Sequence, residues 1–91
     1  PNAVVNPVLV VEVLSQNTEA YDRGDKLWHY QQIPSLRAVL LVSQDSRRLE
    51  LVQRASKGEA WSRTVVEEDG AVLVRAMDLS VGVAEIYGES G

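Results

Sequence analysis

The segment 8–14 (VLVVEVL) constrains the fold most, because six of its seven residues are apolar and an acid stands among them. Its β-branched residues and the proline before it are typical of a strand. Apolar side chains fall on both faces of the pleat, which predicts a central strand buried on two sides. Such a strand would hold Glu12 in a hydrophobic layer, where an ionised carboxylate is costly unless a cation, a metal or hydrogen-bond donors compensate it.

Two interpretations of Glu12 follow from this position. It is either a functional carboxylate or a structural one, paired with an arginine or lying near the end of the strand. Lys26 follows fourteen residues later in a segment of helical pattern, and a helix that packs back over the strand would bring its ammonium toward Glu12. Asp22 and Tyr30 share the helical face of Lys26, so the competing interpretation is a surface Asp22–Lys26 pair worth about 0.3–0.5 kcal/mol.

The rest of the chain predicts a mixed sheet. The elements expected after the first strand are a helix over 18–32, strands over 36–42, 47–54 and 60–67, a return strand over 72–74 beside the third of these, and a closing segment with a helical turn over 81–87. The order of strand, helix, strand and antiparallel run predicts an α+β fold with one main helix. Gly24 interrupts the helical pattern, which predicts either a break or a close approach of another group at that point.

Composition excludes several classes of protein. The 91 residues correspond to one small domain or part of one, and they include no cysteine and a single histidine. Disulfide scaffolds, zinc knuckles, cysteine nucleophiles and multi-histidine metal sites are therefore ruled out within this chain. The net charge of −4 excludes a chain-wide basic surface but leaves room for a local one. No segment has the pattern of a membrane span or a signal peptide, so we expect a soluble cytoplasmic protein.

Four sequence blocks, taken together, resemble the Uma-two family of endonuclease-like proteins. They are 6–26 (NPVLVVEVLSQNTEAYDRGDK), 30–37 (YQQIPSLR), 40–45 (LLVSQD) and 79–87 (LSVGVAEIY). The blocks are collinear and cover nearly the whole chain, which makes them more specific than any single short motif. The family lies within the PD-(D/E)XK, or restriction-endonuclease-like, superfamily. The resemblance implies that residues 1–91 form the C-terminal part of a single restriction-endonuclease-like domain, without its N-terminal part.

The resemblance also implies roles for individual residues. Glu12 would be the second metal-binding carboxylate, and Lys26 would be the catalytic lysine, moved from the strand to the helix. Val13 would offer its backbone carbonyl to the metal, which would be Mg²⁺ or Mn²⁺, and the substrate would be DNA. Arg23, Tyr30 and Arg37 are further candidates for nucleic-acid contacts, and the alternative for the two arginines, taken from the residues alone, is a solvated surface position. Trp28 and Trp61 are expected to be core or interface anchors rather than platforms for bases.

The chain departs from the family pattern in one important respect. Family members carry a first metal-binding aspartate on the strand before Glu12, whereas residues 1–11 contain no acid. Three hypotheses therefore stay open: a metal-dependent DNA endonuclease, here a fragment or a truncated member; a catalytically dead remnant that binds nucleic acid or protein; and a self-associating structural module. We also expect a homodimer, since a central strand normally needs a neighbour on each side.

Overall fold

The main sheet has four strands of mixed direction. The computed structural model describes residues 7–15 and 22–88, without the side chains of residues 22 and 23. The strands, in spatial order, are β1 (Leu9–Leu14), β2 (Ala38–Ser43), β3 (Arg48–Gln53) and β4 (Ser62–Glu67). β1 is parallel to β2, and the two later pairings are antiparallel. The predicted α+β class and mixed sheet are confirmed.

A helical crossover joins the two parallel strands, as their direction requires. One π-helical turn (Asp22–Lys26) leads directly into α1 (Leu27–Gln31). The predicted helix is confirmed from residue 22 onward, and its predicted first part falls in residues 16–21, outside the described segments. A side chain at Gly24 would meet nothing within 4 Å, so the helix is irregular there without any close approach. Neither α1 nor the other described helix is long and apolar enough to cross a membrane.

A small second layer follows the sheet. It consists of β5 (Ala71–Val74), a 3₁₀ turn (Arg75–Met77), β6 (Leu79–Gly82) and α2 (Val83–Tyr87). The sequence predicted that β5 would return beside β4, and this is wrong, because β5 pairs antiparallel with β6 in a separate sheet. Val72 and Val74 point from β5 into the apolar side of the main sheet. The chain therefore folds over the sheet and buries these valines instead of adding a fifth strand.

The main sheet has two faces with different coverings. We call the side packed by α1 the helix face and the side packed by β5, β6 and α2 the hairpin face. The helix-face core consists of Leu14, Leu27, Leu36, Val39, Leu41 and Val52. The hairpin-face core consists of Ala38, Leu40, Val42, Leu49, Leu51, Val72, Val74 and Val83. Both cores share the middle strands β2 and β3, which read as nearly continuous apolar runs for that reason.

β1 is less buried than its sequence suggests. Val11 and Val13 point to the hairpin face and are 53% and 58% exposed. The second layer packs over β2 and β3 but does not reach these two valines. The predicted burial on two sides is therefore wrong for β1, whose only strand neighbour among the described residues is β2.

Candidate active site

Glu12 lies in the middle of β1 and points to the helix face, where two groups from the helical segment meet one of its oxygens. Lys26 Nζ is 2.7 Å from Glu12 Oε1, and the Tyr30 hydroxyl donates a hydrogen bond of 2.8 Å to the same oxygen. The Glu12 side chain is 17% exposed and that of Lys26 is 35% exposed. The predicted approach of Lys26 to Glu12 is confirmed, and the contact is direct.

Local structure explains why these three residues meet. Lys26 and Tyr30 are four positions apart across the junction of the π turn and α1, so they share one helical face. Leu27 is buried against the same core as Leu14, which stands two residues after Glu12 on the same side of the pleat. Packing of Leu27 into the core that contains Leu14 therefore holds the helical segment over β1 and places Lys26 and Tyr30 above Glu12.

These contacts favour the ionised form of the Glu12 carboxylate. The hydrogen bond from Lys26 is the largest influence and lowers the pKa of Glu12 below its ordinary value of 4.5, while burial acts in the opposite direction. The Tyr30 hydrogen bond and the charge of Lys26 lower this pKa further. Glu12 is consequently an anion at neutral pH, as a ligand of a hard cation must be.

The second carboxylate oxygen of Glu12, Oε2, has no contact with the described residues. Within the described segments both contacts of the side chain are to Oε1, and no arginine touches Glu12. The described residues contain no cluster of three acids or histidines that would hold a metal unaided. Glu12 Oε2 could therefore supply only one ligand to a divalent cation, and Mg²⁺ commonly takes one or two protein carboxylates beside other oxygens.

The other predicted site residues are distributed differently. The Val13 side chain lies on the opposite face, and the role of its carbonyl stays a prediction. The Arg37 guanidinium donates to two backbone carbonyls of the preceding loop, at 2.8 and 3.2 Å. Tyr30 contacts Glu12 rather than only solvent, and its predicted contact with nucleic acid stays a prediction. The side chains of Arg23 and Asp22 lie outside the described part.

Sequence reasoning missed a clamp formed by Arg54 and Trp61. The buried Arg54 guanidinium donates to the carbonyls of Leu36 at 3.0 Å and Ile33 at 2.9 Å, and it stacks over the Trp61 ring at 4.4 Å. The clamp fixes the loop that follows α1 and thereby the helix that carries Tyr30. Trp61 is a core anchor, as predicted. Trp28 is exposed, so a place for it in the core is wrong and its role as an interface anchor stays a prediction.

A second acid of the helix face was also missed. Glu50 of β3 is buried, and Arg63 Nε of β4 lies 2.8 Å from its Oε2. Strand register places Glu12, Leu41 and Glu50 in one row across three strands. The alternation of β3 does contain the signal, because Glu50 stands two residues before Val52 and so shares its apolar face.

A mixed sheet with an acid on one strand, and a lysine brought to that acid by the next helix, has the features of a restriction-endonuclease-like core. The family model described as "Putative restriction endonuclease" (Uma2) matches residues 2–85. The chain belongs to the Uma2 family, which lies in the PD-(D/E)XK superfamily.

Two relatives from Synechocystis sp. are both named as uncharacterized proteins. The first, slr1290, is 38% identical over 92% of this chain and 44% of its own length. The second, sll1609, is 40% identical over 78% of this chain and 40% of its own length. The chain thus spans less than half the length of these relatives. No solved structure is significantly similar to it.

Proposed function

We propose that this chain carries the second metal-binding carboxylate and the lysine of a divalent-metal-dependent DNA endonuclease. The observation that supports the proposal most is the geometry at Glu12, where Lys26 and Tyr30 both contact Oε1 and no described residue occupies Oε2. The family match supports the nuclease class. The activity is proposed for the whole protein, in which residues 1–91 would be the C-terminal part of one catalytic domain. The first metal-binding carboxylate would lie elsewhere in that domain, because residues 1–11 contain no acid.

Each residue has a definite part in this proposal. Glu12 Oε2 and the Val13 carbonyl would hold Mg²⁺ or Mn²⁺, which when bound activates water and stabilises negative charge on the scissile phosphate. The Lys26 ammonium keeps Glu12 ionised and adds positive charge beside the phosphate. The Tyr30 hydroxyl fixes the carboxylate so that one oxygen faces the protein and the other faces the substrate.

Cleavage of plasmid DNA with Mg²⁺ or Mn²⁺ tests the proposal. We expect Glu12→Gln and Lys26→Ala each to reduce the rate about 100-fold or more, since removal of a group that handles charge or a proton in the reaction has effects of this size. Val11→Thr is the matched control, because Val11 is next to Glu12, is exposed, and points to the opposite face. Wild-type rates in Glu12→Gln would refute the assignment, and DNA binding without any cleavage would favour the catalytically dead remnant.

We also propose that two copies associate, because a specific surface favours it. β1 has an open edge among the described strands, and Val11 and Val13 are exposed beside it. Such an edge readily pairs with another strand. We expect a dimer in light scattering at tens of micromolar and a monomer for Val13→Lys, with Val65→Lys on the far strand β4 as control. A monodisperse wild-type monomer would contradict the dimer while leaving the nuclease proposal intact.

A further inference from the structure

Glu50 and Arg63 form a charged pair on the helix face that the site at Glu12 does not use. Glu50 is only 2% exposed, whereas Arg63 is 57% exposed. Arg63 Nε lies 2.8 Å from Glu50 Oε2. The contact is an ion pair, because the N–H of Arg63 is not aligned with this oxygen as a hydrogen bond requires. A buried acid thus holds one edge of a guanidinium whose remainder is exposed to solvent.

Strand register relates this pair to Glu12. Glu12 is opposite Leu41 and Leu41 is opposite Glu50, so the two acids lie two strand spacings apart, about 10 Å, in one row of the helix face. Arg63 lies on the next strand, opposite Val52, and its guanidinium reaches back to that row to meet Glu50. A positive charge therefore stands on the same face as Glu12, toward the far edge of the sheet.

The chemistry of the pair suits a phosphate. An arginine held at Nε keeps two terminal nitrogens, and no group in the described segments accepts a hydrogen bond from them. These nitrogens match two phosphate oxygens. Contact with Glu50 already orders the side chain, so less conformational freedom is lost on binding. The other strand arginine of this face, Arg48, has only a loose exposed contact of 3.9 Å to Glu67, which gives no comparable ordering.

We propose that Arg63 binds a backbone phosphate of the DNA strand whose scissile phosphate lies at Glu12, and that Glu50 orients it. At 3.4 Å per nucleotide along the helix axis, a separation of about 10 Å corresponds to about three nucleotides. The position of the scissile phosphate in this inference rests on the proposed function. The contact itself concerns binding and needs no cleavage.

Fluorescence anisotropy with a labelled 20-base-pair duplex in EDTA, repeated between 50 and 300 mM salt, tests the contact. For Arg63→Gln we expect weaker binding and a slope of log K against log salt reduced by about 0.9, the value for one lost phosphate contact. Arg75→Gln is the matched control, because it removes the same charge from the exposed turn after β5, on the hairpin side. Glu50→Gln is expected to weaken binding despite making the chain less acidic, because Arg63 loses its orientation.

The outcomes separate the two proposals. The contact is overturned if Arg63→Gln has the same slope of log K against log salt as Arg75→Gln. It is also overturned if Glu50→Gln binds the duplex more tightly than wild type while its circular dichroism stays native. An absence of duplex binding by the wild-type protein overturns the contact as well. An Arg63-dependent slope in a protein that never cleaves DNA upholds the contact and overturns the nuclease.

Discussion

The two faces of the main sheet are built from the same middle strands but differ in the polar groups that they bury. The hairpin face is covered by apolar side chains, and its buried polar residue Gln53 has a neutral amide bonded to the backbone of Leu73 and Arg75 at 3.0 and 3.1 Å. The helix face is similarly apolar at Leu41 and Val39 but includes two largely buried carboxylates, those of Glu12 and Glu50. The first face is suited to stability alone, whereas the second bears charges that need partners.

This difference supports the proposed location of the functional site on the helix face. A neutral amide can be satisfied inside a core at little net cost, but a carboxylate in the same place needs a cation or several hydrogen-bond donors. Both of these acids have one, Lys26 for Glu12 and Arg63 for Glu50, and each of the two cations is more exposed than its acid. On this side of the sheet the negative charges are therefore buried and the positive charges lie nearer to solvent. This is the side on which we propose that the substrate binds.

The largest expected effect separates stability from chemistry. Leu51→Ala on the hairpin face removes a fully buried side chain and should lower the free energy of unfolding by about 2–5 kcal/mol, as measured by urea denaturation. Leu41→Ala on the helix face should have a similar effect on stability, but it also opens a cavity between Glu12 and Glu50. The pKa of Glu12, measured by NMR titration, should therefore change in Leu41→Ala and not in Leu51→Ala. Equal changes in both variants would contradict the separation of the faces.

The next effect concerns the clamp over the helix face. Arg54→Ala should lower the free energy of unfolding by about 2–3 kcal/mol, because buried backbone carbonyls lose a charged donor and the Trp61 ring loses its stacked partner. Arg37→Ala is the matched control, since its guanidinium bonds to carbonyls of the same loop near the surface, and it should cost less than about 1 kcal/mol. A cost for Arg37→Ala as large as that for Arg54→Ala would contradict the clamp.

A double-mutant cycle measures the interaction free energy between Lys26 and Glu12. Lys26→Met should lower the free energy of unfolding by about 1 kcal/mol, a value that reflects the partial exposure of Lys26. In the Glu12→Gln background the same change should cost almost nothing, because the carboxylate that Lys26 compensates is gone. An unchanged cost in that background would show that Lys26 stabilises the fold without Glu12.

The smallest effect is the pH dependence. The pKa of Glu12 is lower in the folded chain than its ordinary 4.5, so the carboxylate stabilises the fold fully above that value. This contribution is lost as the pH falls from about 4.5 through the folded pKa. Urea midpoints measured from pH 7 to pH 3 should therefore fall more steeply for wild type than for Glu12→Gln, and parallel curves would contradict the lowered pKa.

The sequence predicts the strands of the main sheet well, because hydrophobic periodicity depends on local pattern. The strand–helix unit left the Glu12–Lys26 approach and a surface Asp22–Lys26 pair both open, and the family resemblance favoured the approach. The position of β5 was not predictable in this way, since the choice between extending the sheet and covering it depends on which apolar face remains open. The same is true of Val11 and Val13, whose exposure depends on where the second layer ends. Arg54 and Arg63 carried no sequence signal of their own, because their roles come from partners 18 residues away in one case and on a neighbouring strand in the other.

The central proposal is that Glu12 binds a divalent cation on the helix face through Oε2, the oxygen that no described residue contacts. Paramagnetic broadening of amide NMR signals by low concentrations of Mn²⁺ tests it directly and detects weak sites. We expect broadening centred on Glu12 and Val13 in β1 and on Lys26 in the helical segment, and its loss in Glu12→Gln but not in the exposed control Glu59→Gln. Broadening centred elsewhere, or unchanged in Glu12→Gln, would contradict the account.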